Sequence, residues 1–120
     1  MADWNQTAVA PNGVAQPSTT LFSSITSEIT VPGNHQIKTG SYKTFTVTFY
    51  EDGVPIEHDV GEWSVLLDGV DATDLVTITP SGNKARVKFN GGDDYIGKIL
   101  RVINTSGEIV STLDVEVIAL

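Results

Sequence analysis

The sequence predicts an all-β sandwich of about seven antiparallel strands preceded by an extended N-terminal arm. Three observations carry this. From Ile25 onward, short runs rich in Val, Ile, Thr, Phe and Tyr alternate apolar and polar residues with the period of a half-buried strand. The runs are punctuated by Pro32-Gly33, Asp52-Gly53, Asp68-Gly69, Ser81-Gly82-Asn83, Asn90-Gly91-Gly92 and Ser106-Gly107, the residue types that tight turns require. No stretch repeats at helical spacing between helix caps, so a single turn near 71–75 is the most helix expected.

The runs fall near 25–31, 35–38, 42–50, 61–67, 75–79, 84–89, 98–104 and 108–118. Successive strand side chains point to opposite faces. Over 42–50, Phe45, Val47 and Phe49 therefore share the core face, and Thr44, Thr46 and Thr48 share the wet one. Trp63, Val65 and Leu67 alternate with Glu62 and Ser64, and Ala85, Val87 and Phe89 alternate with Lys84, Arg86 and Lys88. Leu100 and Val102 turn inward with Arg101 outward, and Leu113, Val115 and Val117 turn inward with Asp114 and Glu116 outward. The strand count is that of an immunoglobulin-like sandwich, in which one tryptophan sits on the third strand against the facing sheet; Trp63 is the candidate for that position.

A chain of 120 residues suits one such domain, over 25–120, without disulfides or metal. Seven Lys plus Arg against fifteen Asp plus Glu give a net charge of −8, which repels phosphate backbones and anionic headgroups. Nucleic acid and membrane are therefore not expected as partners. The absence of cysteine excludes a disulfide scaffold, thiol catalysis and thiolate metal sites.

Chemistry is thinly represented. His35 and His58 lie in loops and read as surface histidines, and no Gly-x-Ser-x-Gly elbow is present. Two histidines separated by a strand do not make a zinc site. Asp93-Asp94, Asp71 with Asp74, and Glu51-Asp52 read as solvated acidic turns, since no run matches a calcium loop. Short connections leave little room for a deep pocket, so a non-catalytic domain with no cofactor is expected. The sequons at Asn5 and Asn104 are expected to be unused.

Lys84, Arg86 and Lys88 form a basic stripe on the wet side of one strand. It is either a docking stripe for an acidic partner or, more economically, a row of cross-strand pairs with Asp or Glu on the neighbouring strand. Thr44, Thr46 and Thr48 read as a solvated face or an adsorption surface. Tyr42, Tyr50 and Tyr95 read as rim residues or as rings for weak stacking on host-surface glycans.

Residues 1–24 read as an arm that is flexible or ordered by assembly. Ala, Asn, Gln, Ser, Thr, Gly and Pro dominate, and Trp4, Val9, Val14, Leu21 and Phe22 keep no period. Trp4, Leu21 and Phe22 are its candidate partner-binding residues. The arm lacks the basic start and unbroken apolar stretch of a secretory signal.

The stretch from Ile37 to Trp63, with Ile-Lys-Thr-Gly-Ser-Tyr-Lys-Thr-Phe-Thr-Val-Thr-Phe-Tyr-Glu-Asp-Gly-Val-Pro-Ile and then Glu-Trp-Ser-Val, resembles the immunoglobulin-like domains of tailed-bacteriophage structural proteins. So does the ending, where Asp94-Tyr95-Ile96-Gly97-Lys98 leads into a strand, Ser106-Gly107 turns, and Leu113 to Leu120 forms the last strand. The chain is also similar to bacterial immunoglobulin-like repeats of adhesins, which share a glycine before the second strand and a tryptophan on the third. The phage resemblance covers 25–120 and implies a virion component: capsid decoration, head-tail connector (neck) or tail protein, assembled in the bacterial host cytoplasm. It implies other virion proteins as partners, in a symmetric multimer. Such domains often follow an assembly domain; here only the arm precedes the sandwich, so the arm itself is the expected anchor. The adhesin likeness implies the alternative, a cell-surface or secreted module for adhesion or carbohydrate binding.

Overall fold

The computed structural model describes residues 24–120. The expected arm, with Trp4, Leu21 and Phe22, lies outside the described residues except for Ser24, and so does the sequon at Asn5.

Alternating runs become strands β1 (Ile25–Thr30), β2 (Gln36–Lys38), β3 (Tyr42–Glu51), β4 (Val54–Ile56), β5 (Glu62–Leu67), β6 (Val70–Asp71), β7 (Val76–Ser81), β8 (Lys84–Phe89), β9 (Ile99–Ser106) and β10 (Ile109–Ile118). They form two sheets. One has the order β1-β3-β8-β7, with β4 also paired to β3, and the other has the order β2-β10-β9-β5-β6. This is the immunoglobulin-like arrangement, in which the first, second, fifth and fourth principal strands face the third, sixth and seventh. Short 3-10 turns occur at Thr73–Leu75, within the stretch where one turn is expected, and at Asp93–Tyr95, which the alternation did not indicate.

Local chemistry sets the corners. Asp52-Gly53 and Asp68-Gly69 both take positive φ, 52° and 83° in the first pair and 49° and 85° in the second. Two left-handed residues in succession match the right-handed twist of the flanking strands, so each pair closes a tight hairpin. The first hairpin creates β4, which carries Pro55 and is only three residues long; the second creates the two-residue β6. Neither is among the runs read from the sequence. One short pairing in the otherwise antiparallel sandwich is parallel. Pro32, which has no N–H to donate, ends the pairing of β1, and the chain crosses to the other sheet. There β2 runs parallel to β10, with Gln36 beside Glu116 and Lys38 beside Ile118. The Glu116 N–H donates to the His35 carbonyl at 3.0 Å and the Thr39 N–H to the Ile118 carbonyl at 3.1 Å.

The core lies between the sheets. Phe45, Val47, Phe49, Val65, Val87, Phe89, Val102 and Val115 are buried, together with Ile29, Ile37, Leu67, Leu100 and Val117. Trp63 and Leu113 are half-buried and pack against this cluster from its margin. Next to Trp63 the interior turns polar. Asn104 is fully buried between Trp63 on β5 and Ser111 on β10. The Trp63 Nε1, both Asn104 amide atoms, Ser111 Oγ and Ser27 Oγ have no hydrogen-bond partner among the described residues. Burial of the Asn104 side chain closes the second sequon to a glycan in the folded domain.

Candidate interaction face

The outer face of the β1-β3-β8-β7 sheet is built by the residues that alternate with the core. Because Ala85, Val87 and Phe89 point inward, Lys84, Arg86 and Lys88 are exposed on the outside. Pairing then decides their neighbours. On one side Lys84 lies opposite Thr46, Arg86 opposite Thr44 and Lys88 opposite Tyr42. On the other, Lys84 lies opposite Ser81, Arg86 opposite Thr79 and Lys88 opposite Thr77. Hydroxyl-bearing residues flank the stripe on both sides. The more economical expectation, pairing with Asp or Glu across the strands, is thereby corrected. Among the described residues, none of the three cations is in an ion pair; the bridges present are Lys98–Asp68 and Arg101–Asp114.

The Arg86 guanidinium carbon instead sits 4.3 Å from the centre of the Tyr42 ring. The ring quadrupole attracts the guanidinium cation without neutralising its charge. Glu28, near the far edge on β1, faces Thr48 and accepts from the Tyr50 hydroxyl at 3.4 Å. The face thus presents three cations and one carboxylate over a floor of threonines, in a chain of net charge −8. The stripe and the Thr44–Thr48 row are legible from the sequence; the contributions of Tyr42 and of the Thr77, Thr79 and Ser81 row were missed. Alternation along β7 was the available signal for that row. Of the other tyrosines, Tyr50 is on this face, while Tyr95 packs edge-on to Phe89 with ring centres 5.7 Å apart.

The opposite sheet presents a different surface. Its outer side carries Glu62, Asp71, Asp114 and Glu116 together with Arg101 and Lys38. Arg101 Nε donates to Asp114 Oδ1 at 2.8 Å and Nη2 donates to Oδ2 at 3.2 Å, a two-pronged pair. These bonds from Arg101 hold the Asp114 carboxyl below the usual carboxylate range. Bonds from the Thr73 hydroxyl and N–H do the same for Asp71. The Ile99 N–H and then Lys98 lower Asp68.

A lowered folded-state value means that the Arg101–Asp114 pair stabilises fully above the ordinary carboxylate range and is lost as pH falls through the folded value. With the two side chains 51% and 45% exposed, the contribution is small and screened by salt. Asp114→Asn is therefore expected to lower the urea midpoint slightly at neutral pH, with the difference shrinking as pH falls through the lowered folded-state value of Asp114. A difference that stays constant with pH would contradict this.

The two histidines sit in different surroundings. His35 is exposed. His58 corrects its reading as a surface residue: it is half-buried and stacks on Phe49, with ring centres 4.6 Å apart. Its Nδ1 lies 2.9 Å from the Asp59 carbonyl oxygen and 3.4 Å from Ser106 Oγ. Ser106 is buried and donates its proton to the Asp59 carbonyl at 2.7 Å. The Ser106 hydroxyl proton is thus already taken by the Asp59 carbonyl. Among the described residues, no three His, Asp or Glu side chains gather as metal ligands, and no helix is long and apolar enough to cross a membrane.

No family model matches the chain, and no curated protein matches it. Among solved structures it is similar to a chimeric titin Z1Z2 functionalized with a KLER exogenous peptide from decorin, with a TM-score of 0.51 and 19% identity. That match covers 81% of this chain and 97% of the other. It is also similar to the trigonal form of titin M4, with a TM-score of 0.47 and 11% identity, over 82% of this chain and 94% of that one. The first likeness shows the immunoglobulin-like fold.

Proposed function

We propose that this chain is a non-catalytic structural component of a tailed-bacteriophage virion. In this reading the sandwich is displayed on the capsid, neck or tail, and residues 1–24 anchor it to neighbouring subunits in a symmetric multimer. The observation that carries the interaction role is the Lys84–Arg86–Lys88 row, which makes no ion pair among the described residues and is bordered by hydroxyl-bearing residues on both sides, so that it offers a partner charge and hydrogen bonds. The virion setting is supported by the resemblance of residues 37–63 and 94–120 to phage immunoglobulin-like domains. The anchor role of the arm is supported by its composition and by Trp4, Leu21 and Phe22, whose apolar area offsets the entropy of ordering when many copies act together.

Deleting residues 1–20 tests this reading. The truncated chain is expected to keep the thermal midpoint of the full chain and to be missing from purified particles, in which peptide mass spectrometry finds the full chain. Incorporation of the truncated chain at the normal level would reject the anchor. Absence of the full chain from particles, together with glycan binding by the free protein, would favour the cell-surface alternative.

A further inference from the structure

The two outer faces of the sandwich carry opposite charge. One has Lys84, Arg86 and Lys88 against Glu28; the other has Glu62, Asp71, Asp114 and Glu116 against Arg101 and Lys38. They lie on opposite sides of one domain, so they cannot neutralise each other within a copy. We infer that the basic face of one copy docks on the acidic face of a second copy, so that the domains stack head to tail.

The occupant follows from complementarity already present in the molecule. Alternate residues on an extended strand are about 6.6 Å apart, so the three cations of β8 form a row about 13 Å long. On the acidic face Glu116 lies one alternate position along β10 from Asp114, which is already paired with Arg101. Asp71 lies across the sheet on the Asp114 row, and Glu62 lies beside Thr105 toward the other end, so Glu62, Asp71 and Glu116 are the carboxylates offered to a partner. Thr44, Thr46, Thr77 and Thr79 border the cations and supply hydroxyls for carboxylate oxygens that a cation does not reach. A contact between two different faces leaves one of each free on the pair, so it propagates from copy to copy, as an open row or as a ring where the rotation closes.

The area limits the strength. Four strands about 4.8 Å apart and about 20 Å long give a face of roughly 400 Å². A stable interface buries about 800 Å² per partner, so the isolated contact is weak and governed by charge. It becomes effective where copies are already held side by side. The inference goes beyond the virion reading and is tested in solution, without a particle.

Sedimentation of the full chain at high micromolar concentration supplies the test. The screening length falls from about 30 Å at about 0.01 M salt to about 3 Å at about 1 M. The weight-average mass is expected to exceed that of one chain at low salt and to return to it at high salt. A stripe variant, Lys84→Glu with Arg86→Glu and Lys88→Glu, and a counter-face variant, Glu62→Lys with Glu116→Lys, should each associate about tenfold more weakly or not at all. Mixed together they should associate again, because each now offers the charge that the other lacks. All substituted positions are exposed, and circular dichroism verifies that the variants fold; Arg86→Glu alone replaces the triple variant if it does not. A single-chain mass for the unaltered protein at low salt would overturn the inference. So would undiminished association of the folded stripe variant, or a mixture of folded variants that stays apart.

Discussion

Gly61→Ala is expected to destabilise the domain more than any other exchange of a glycine for alanine within it. Gly61 sits just before β5 at φ +81°, a conformation that a β-carbon disfavours. Its neighbour is backbone: a β-carbon there would meet the Thr105 carbonyl oxygen and lie 2.7 Å from Ser106 Cα. A flexible side chain could move aside, but β9 is held on both flanks by β10 and β5 and cannot. Left-handed strain of about 1–2 kcal/mol and overpacking of about 1–3 kcal/mol together put the loss at about 2–5 kcal/mol. Gly53→Ala is the control. It has a similar φ of +83° with nothing within 4 Å of the added atom, so it should show the strain alone. Equal urea midpoints for the two variants would mean that β5 and β9 do not approach as described.

Phe89→Ala is expected to cost about 3–5 kcal/mol, as truncation of a fully enclosed aromatic does. Phe89 has no exposed surface, and its ring is closed in by the edge of Tyr95 and by Gly91, where a β-carbon would come within 2.7 Å of the ring. Its backbone also ties the sandwich together. The Phe89 N–H donates to the Ser41 carbonyl at 2.9 Å and its carbonyl accepts from Gly40 at 2.8 Å. Those bonds survive the substitution, so the loss reports packing. For a domain of about 100 residues it corresponds to a fall in Tm of well over 10 °C. A fall of a few degrees would place Phe89 outside the core.

The long strands were legible because one face of each is dry. In β3, β8 and β10 the apolar residues recur at every second position, and the turn residues between them mark where pairing reverses. What escaped the sequence reading has physical reasons. β4 and β6 are too short to show alternation and exist because the Asp-Gly turns fold the chain back on itself. The parallel pairing of β2 depends on a crossover at Pro32, and neither its destination nor its register is written in local pattern. Asn104, Ser106 and Ser111 are buried, although their polarity reads as strand end or solvent. The stripe itself was visible from alternation within β8. Its lack of acidic neighbours was not, because that depends on how β8 registers against β3 and β7.

Carbodiimide cross-linking at low salt, read by peptide mass spectrometry, tests most directly whether the Lys84–Lys88 face is the contact surface. This reagent joins an amine to a carboxylate only where the two already touch. The Lys98–Asp68 pair, 3.3 Å apart within one copy, should link under all conditions and reports that the reaction works. The expected result is a set of links from Lys84 or Lys88 to Glu62, Asp71 or Glu116 between two copies, lost at high salt. Formation of the Lys98–Asp68 link with none from Lys84 or Lys88 to those carboxylates would contradict the account.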